Sequence, residues 1–200
     1  MSWLGYFKRF FKSRRRKMGE IKEMKVTRIR NVNLPTRGSA ESAGMDFYVP
    51  YDLTKVDMAK TFDITKVQTR VDYDLNTGYA KTILIAPGED ILIPTGIKAN
   101  IPSGYVLKIE NRSSIGAIKS LLVGACVVDS DFQGEIFINL HNVSNKKVAY
   151  LNPGDKMAQG VLYPCETPAI VEVETVGELY KGRDSERQDG SLGSTDRKEV

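Results

Sequence analysis

The chain has 200 residues, 41% hydrophobic and 27% charged, which suits one water-soluble domain with a core and tails. Two cysteines, Cys126 and Cys165, and one histidine, His141, exclude a disulfide framework, a zinc cluster and histidine-based nucleophile schemes; few, unspaced cysteines fit a reducing, cytoplasmic setting. The net charge of +4 comes from one end: Lys8, Arg9, Lys12, Arg14, Arg15, Arg16 and Lys17 precede the first acid, Glu20, and without these seven the remainder stands at −3. The body therefore has no basic footprint for nucleic acid.

Residues 1–23 interleave Trp3, Leu4, Tyr6, Phe7, Phe10 and Phe11 with those cations. At helical spacing Leu4, Phe7 and Phe11 share a face, which predicts a basic amphipathic extension suited to an anionic membrane surface or another polyanion. No apolar run is long enough to span a bilayer. The charges follow the apolar residues, so it is not a secretory signal. The alternatives are an unstructured tail, or a leader preceding a start at Met18 or Met24.

From Met24 to about residue 178 the pattern is short strands punctuated by turns. KVTRIRNV alternates, and Gly38, Gly44 and Pro50 mark breaks. Strand-like runs are separated by Pro87-Gly88, Pro94-Thr95-Gly96 and Pro102-Ser103-Gly104. EIFINLHNVS, KKVAYLNPGDKMAQGVLYP and AIVEVETV follow. No segment shows a sustained 3.6-residue period, and turn signals recur every eight to twelve residues, so the expected fold is an all-β sandwich or barrel. His141 lies in the alternating Ile138, Leu140, His141, Val143 run and reads as structural. The longer piece at about 52–82 ends in a hairpin around Asn76-Thr77-Gly78.

Several polar clusters stand out against this background. NRSS brings a guanidinium and two hydroxyls, Arg112, Ser113 and Ser114, suited to phosphate oxygens. Asp129 follows Val127-Val128 at a strand end, where a carboxylate can position a water; Phe132 is a ring that can cover a sugar or base. SAGMDFYVP places Asp46 in a Gly-led strand start. PGDKMAQ is a turn with an exposed Asp-Lys pair, then a strand carrying Gln159. Glycine-rich ERQDGSLGST holds Arg187, Ser194 and Thr195 in a flexible C-terminal segment, 179–200.

Taken in order, AGMDF, NRSS, VGACVVDSDFQG, GDKMAQ and RQDGSLGST make the chain resemble the homotrimeric dUTPase family over roughly residues 24–196. The resemblance implies a distorted jelly-roll (β-clip) subunit, a threefold trimer with each site shared among chains, and hydrolysis of dUTP to dUMP and pyrophosphate. It implies Asp129 as the residue that orients and deprotonates the attacking water. Arg112, Ser113, Ser114 and Gln159 would bind phosphates, with Arg187, Ser194 and Thr195 on the distal ones. Magnesium (Mg2+) would be held mainly by nucleotide and waters, with Asp46 supporting its waters or an arginine. A β-hairpin over 122–128, including Val123, Gly124, Ala125 and Val128, would read uracil through backbone groups. Phe132 would stack under the deoxyribose, and Leu192 would cover the base where an aromatic is usual.

The chain also departs from the pattern. Asn111 stands for a proline, Phe132 for a tyrosine and Cys126 for a glycine; Gln188, Ser191 and Asp196 replace glycines. The segment 52–82 reads as an insertion. Two rival expectations are a dCTP deaminase-type enzyme, disfavoured because Asn139 stands where its acid is needed, and a dUTPase-like trimer acting mainly as a protein- or membrane-binding module.

Overall fold

Alternation of apolar and polar side chains writes most of the strands. In the segment Phe137–Asn142, for example, Ile138, Leu140 and Asn142 are buried while Phe137 and His141 face outward. The computed structural model describes residues 23–59 and 69–183. The N-terminal extension expected at 1–23 lies almost wholly outside them. So do Arg187, Leu192, Ser194 and Thr195.

The described residues up to Glu166 form a β-rich unit. In chain order it holds β1 (Lys25–Arg28), β2 (Thr36–Arg37), β3 (Met45–Tyr48), α1 (Lys55–Ala59), β4 (Arg70–Tyr73), β5 (Ala80–Ile85), β6 (Asp90–Pro94) and β7 (Ile97–Asn100). There follow β8 (Tyr105–Glu110), α2 (Ser113–Lys119), β9 (Leu121–Val123), β10 (Val127–Val128), β11 (Phe137–Asn142), β12 (Ala149–Leu151) and β13 (Lys156–Pro164). The pairings make a five-stranded sheet β10-β8-β13-β3-β2, two three-stranded sheets β6-β11-β9 and β12-β5-β4, and the pair β1-β7. Every pairing is antiparallel. The all-β architecture expected from the turn spacing is the one observed. The turns at Gly78, Gly88, Gly96 and Gly104 each use a positive φ, a conformation glycine adopts without a Cβ penalty.

The core draws on all three larger sheets: Phe47, Ile83, Ile85, Ile93, Leu107, Ile109, Leu121, Ile138, Leu151 and Met157 are each at most 1% exposed. Full burial of an aliphatic side chain of this size stabilises by roughly 1.5–3 kcal/mol. Its few polar members are bonded: Asn142 donates to the carbonyls of Ile85 and Lys147, both at 2.8 Å, and Thr95 donates to the carbonyl of Ile136 at 2.7 Å.

The segment read as an insertion is tied into this core. Leu53 and Met58 are buried, and β5 is the middle strand of its sheet, flanked by β4 and β12. The hairpin expected at Asn76-Thr77-Gly78 is present: β4 pairs with β5, and the Asp74 carboxylate accepts from the amides of Asn76 and Thr77, both at 2.9 Å.

Three features differ from the expectations. Helix α2 was hidden because it has only seven residues and buries only Ile115, leaving Ile118 exposed. The Asp-Lys pair of PGDKMAQ is engaged: Asp155 accepts from Lys119 at 3.1 Å and Lys156 contacts Asp46 at 2.8 Å. AIVEVETV forms no strand among the described residues; its alternation finds no ladder partner.

The unit from Thr167 onward is described to residue 183. It contains one short helix, α3 (Val176–Leu179), whose N-cap Thr175 accepts from the Glu178 amide. Among the described residues no helix is long and apolar enough to cross a membrane.

Candidate active site

Sheet register brings three of the polar clusters together. On the central strand β13, Gln159 lies opposite Asp46 of β3 on one side and Glu110 of β8 on the other. Asn111 and Arg112 leave the end of β8 directly beside it. Residues 46, 112 and 159, far apart in the chain, thus become neighbours through backbone pairing alone.

Asp46 is 7% exposed, which would be costly for an unpaired carboxylate. Both of its oxygens are engaged: Oδ1 accepts from Arg112 Nε at 2.6 Å and Oδ2 pairs with Lys156 Nζ at 2.8 Å. The carboxylate raises the ammonium pKa of Lys156 above the ordinary lysine value. Arg112 stands at the N-cap position of α2 without a side-chain capping bond, and turns one terminal nitrogen toward Ser114 Oγ at 3.4 Å. Gln159 donates its amide to the Asn111 carbonyl at 2.8 Å. Asp46, Arg112 and Gln159, together with Gly38, Ser42, Gly44 and Ser113, line an open cleft of about 190 Å³. Arg37 shapes the rim by donating to the carbonyls of Ser42 and Ala43.

The glycine of AGMDF has a local reason. A Cβ on Gly44 would lie 2.1 Å from Gln159 Oε1, so only glycine leaves the Gln159 side chain in its place. Lys156 is the member of the cluster that the sequence did not single out. Its position in GDKMAQ put it within reach of notice, but its role depends on the β13–β3 register.

The segment 122–128 lies elsewhere on the sheets. β9 pairs with β11 and β10 with β8, so the two arms of the expected hairpin belong to different sheets. The turn is held at successive amides: Val123 N–H donates to Asn111 Oδ1 at 2.7 Å, and Gly124 N–H donates to the Asn139 carbonyl at 3.0 Å. Asn139 Oδ1 and His141 Nε2 press on Gly124 so closely that a Cβ there would sit 2.1 and 2.3 Å from them. Cys126 needs no glycine conformation, since Ser120 alone among the described non-glycine residues has positive φ; its carbonyl accepts from the Ile109 amide at 2.8 Å.

Asp129 follows β10 and is exposed, as are Asp131 and Phe132. The Phe132 ring lies over Gly134, where a Cβ would meet its Cζ at 2.4 Å. Phe132 lines a second cleft, of about 500 Å³, with Asp131, Gln133 and the paired strands β1 and β7. The two clefts share no lining residue. Among the described residues no group of three or more His, Cys, Asp or Glu side chains forms a metal cage.

This is a β-sheet scaffold carrying a cleft lined by arginine, serine and glutamine side chains and, apart from it, an exposed acid near an aromatic ring. The dUTPase family model matches residues 62–195, more than half of the chain, and the chain belongs to that family. The match begins after Asp46. The chain is 36% identical over 124 residues to a deoxyuridine 5'-triphosphate nucleotidohydrolase of Finegoldia magna, covering 61% of this chain and 82% of that protein. It is 29% identical over 161 residues to the mouse enzyme of that name, covering 80% and 76%. Among solved structures it resembles a mutant dUTPase of Staphylococcus bacteriophage 80alpha with dUpNHpp, with a TM-score of 0.61, 21% identity and coverage of 87% and 98%. A mutant dUTPase of S. aureus phage phi11, described with a structural Mg(II) ion, matches with a TM-score of 0.56, 21% identity and coverage of 78% and 99%.

Proposed function

We propose that this chain hydrolyses dUTP to dUMP and pyrophosphate, working as a homotrimer with shared sites. The observation that carries the reading is the register of β3, β13 and β8, which sets Asp46, Gln159 and Arg112 side by side in one cleft. Arg112, Ser113, Ser114 and Gln159 hold phosphate oxygens there. Asp46, of the two supporting roles expected for it, takes the one at the arginine: it fixes the guanidinium so that little entropy is lost when phosphate arrives. Lys156 balances its second oxygen.

The exposed Asp129 carboxylate accepts a proton from a water as that water forms a bond to the α-phosphorus, and the bond from that phosphorus to the departing pyrophosphate oxygen breaks. Backbone groups of 123–128 read uracil, whose donor and acceptor at ring positions 3 and 4 reverse in cytosine. A mismatched base leaves buried groups unpaired, which is costly. Phe132 covers the deoxyribose and leaves no room for a 2'-hydroxyl, while Leu192 covers the base. Arg187, Ser194 and Thr195 close on the distal phosphates.

Magnesium fits this site as an ion arriving with the triphosphate. The described carboxylates form no cage, and Asp46 is already engaged by two cations. When bound, the ion neutralises phosphate charge. Trimer formation has its own support: Ile170, Val171 and Val173 are exposed apolar side chains of one short segment, which suits cover by another chain.

The test is pyrophosphate release with magnesium from dUTP, dCTP, dTTP and UTP in turn. Release from dUTP at a rate well above the other three is expected. No release from any of them would favour the binding-module alternative, and release of ammonia from dCTP would favour the deaminase.

A further inference from the structure

Asn111 links the Arg112–Gln159 cleft to the 122–128 turn of the same chain. Its side-chain Oδ1 accepts from the Val123 amide at 2.7 Å, and its backbone carbonyl accepts from Gln159 Nε2 at 2.8 Å. The second bond uses a carbonyl that any residue supplies, proline included. The first needs a side-chain acceptor, which proline lacks.

The strand geometry explains why Val123 needs that acceptor. On β9 consecutive amides point to opposite sides. Gly124 N–H turns toward β11 and meets the Asn139 carbonyl at 3.0 Å. Val123 N–H turns away from β11 and finds Asn111 Oδ1. The segment entering the 122–128 turn is therefore gripped from both sides, by β11 on one flank and by the residue before Arg112 on the other. Asn111 itself is exposed, so its side chain serves this link rather than the core.

We propose that Asn111 is a positioning residue for base discrimination, and that its side chain holds the turn over 122–128 in the register that accepts uracil. The proposal rests on the reading of the site as a dUTP hydrolase. Losing one hydrogen bond at an exposed site loosens the turn without unfolding the domain.

The test compares Asn111→Ala and Asn111→Asp with the unsubstituted protein, by steady-state kinetics on dUTP, dTTP and dCTP and by amide hydrogen exchange over 121–126. For Asn111→Ala the expected results are a KM for dUTP raised roughly five- to tenfold, kcat within about twofold, a matching fall in the preference for dUTP over dTTP and dCTP, and faster exchange at 121–126. Asn111→Asp keeps the acceptor, so base preference and slow exchange persist, although its charge beside Arg112 raises KM for all three nucleotides alike. Unchanged selectivity and exchange in Asn111→Ala would overturn the proposal, as would a selectivity loss in Asn111→Asp equal to that of Asn111→Ala. If the unsubstituted protein itself released no pyrophosphate from dUTP, the hydrolase reading would fall and this inference with it, a result recognisable before any variant is made.

Discussion

At the scale of single residues, the site is a set of tight fits around a few side chains. Gly44 and Gln159 are the clearest pair. In Gly44→Ala the new methyl would displace Gln159 Oε1, the far end of a flexible side chain, so the fold has an inexpensive escape. The expected cost in stability is about 1 kcal/mol or less, read as a small shift in unfolding midpoint. The expected cost in function is larger: Gln159 leaves the Asn111 carbonyl and the cleft, and kcat/KM for dUTP falls about tenfold or more. A variant with wild-type kcat/KM would show that Gln159 holds no phosphate. Arg112, Gln159 and Asp46 were legible as polar clusters in the sequence, because their residue types suit phosphate chemistry. The partnership of Asp46 with Lys156 was not, because it spans 110 positions of chain and exists only once β3 and β13 are in register.

At the scale of elements, the strands were legible because burial on one face leaves an alternating trace and glycine turns punctuate it. Helix α1 left no such trace, being held by polar contacts. Thr54 and Asp57 cap its start reciprocally: Asp57 N–H donates to Thr54 Oγ1 at 3.2 Å, while Asp57 Oδ2 accepts from the Thr54 amide at 3.0 Å and its hydroxyl at 2.7 Å. Arg30 adds an ion pair to Asp57 at 2.8 Å and reaches Glu135 at 2.9 Å, so α1 is linked to the loop that leads into β11. Burial pushes the Asp57 carboxyl upward, but the Thr54 bonds and Arg30 outweigh it and hold the pKa below the ordinary aspartate value of 3.8. A carboxyl depressed in the folded state contributes stability above its unfolded pKa and loses it as pH falls through the folded value. Asp57→Asn should therefore unfold at a lower temperature than the unsubstituted protein near neutral pH, with the gap narrowing as pH drops below about 4. A gap independent of pH would mean that the Asp57 charge contributes nothing to holding α1.

At the scale of the whole molecule, one chain holds its Arg112–Gln159 cleft and its Phe132 cleft apart, with no lining residue in common. A site needing both is completed most simply by a neighbouring copy, and threefold closure supplies three equal junctions. Subunit complementation tests this directly. On the proposed mechanism Asp129→Asn lacks the proton acceptor and Arg112→Gln lacks the phosphate guanidinium, so each protein alone should be close to inactive. When the two are refolded together in equal amounts, every mixed trimer contains one junction at which an intact Asp129 meets an intact Arg112. Random assortment then restores about a quarter of the wild-type sites. Sites confined to single chains predict no recovery at any mixing ratio, because no chain in the mixture carries both residues. Recovery near a quarter, rising and falling with the proportion of mixed trimers, would place Asp129 and Arg112 of one reaction centre on different chains, and would explain why the sequence places both residues within eighteen positions while the fold seats them in separate clefts.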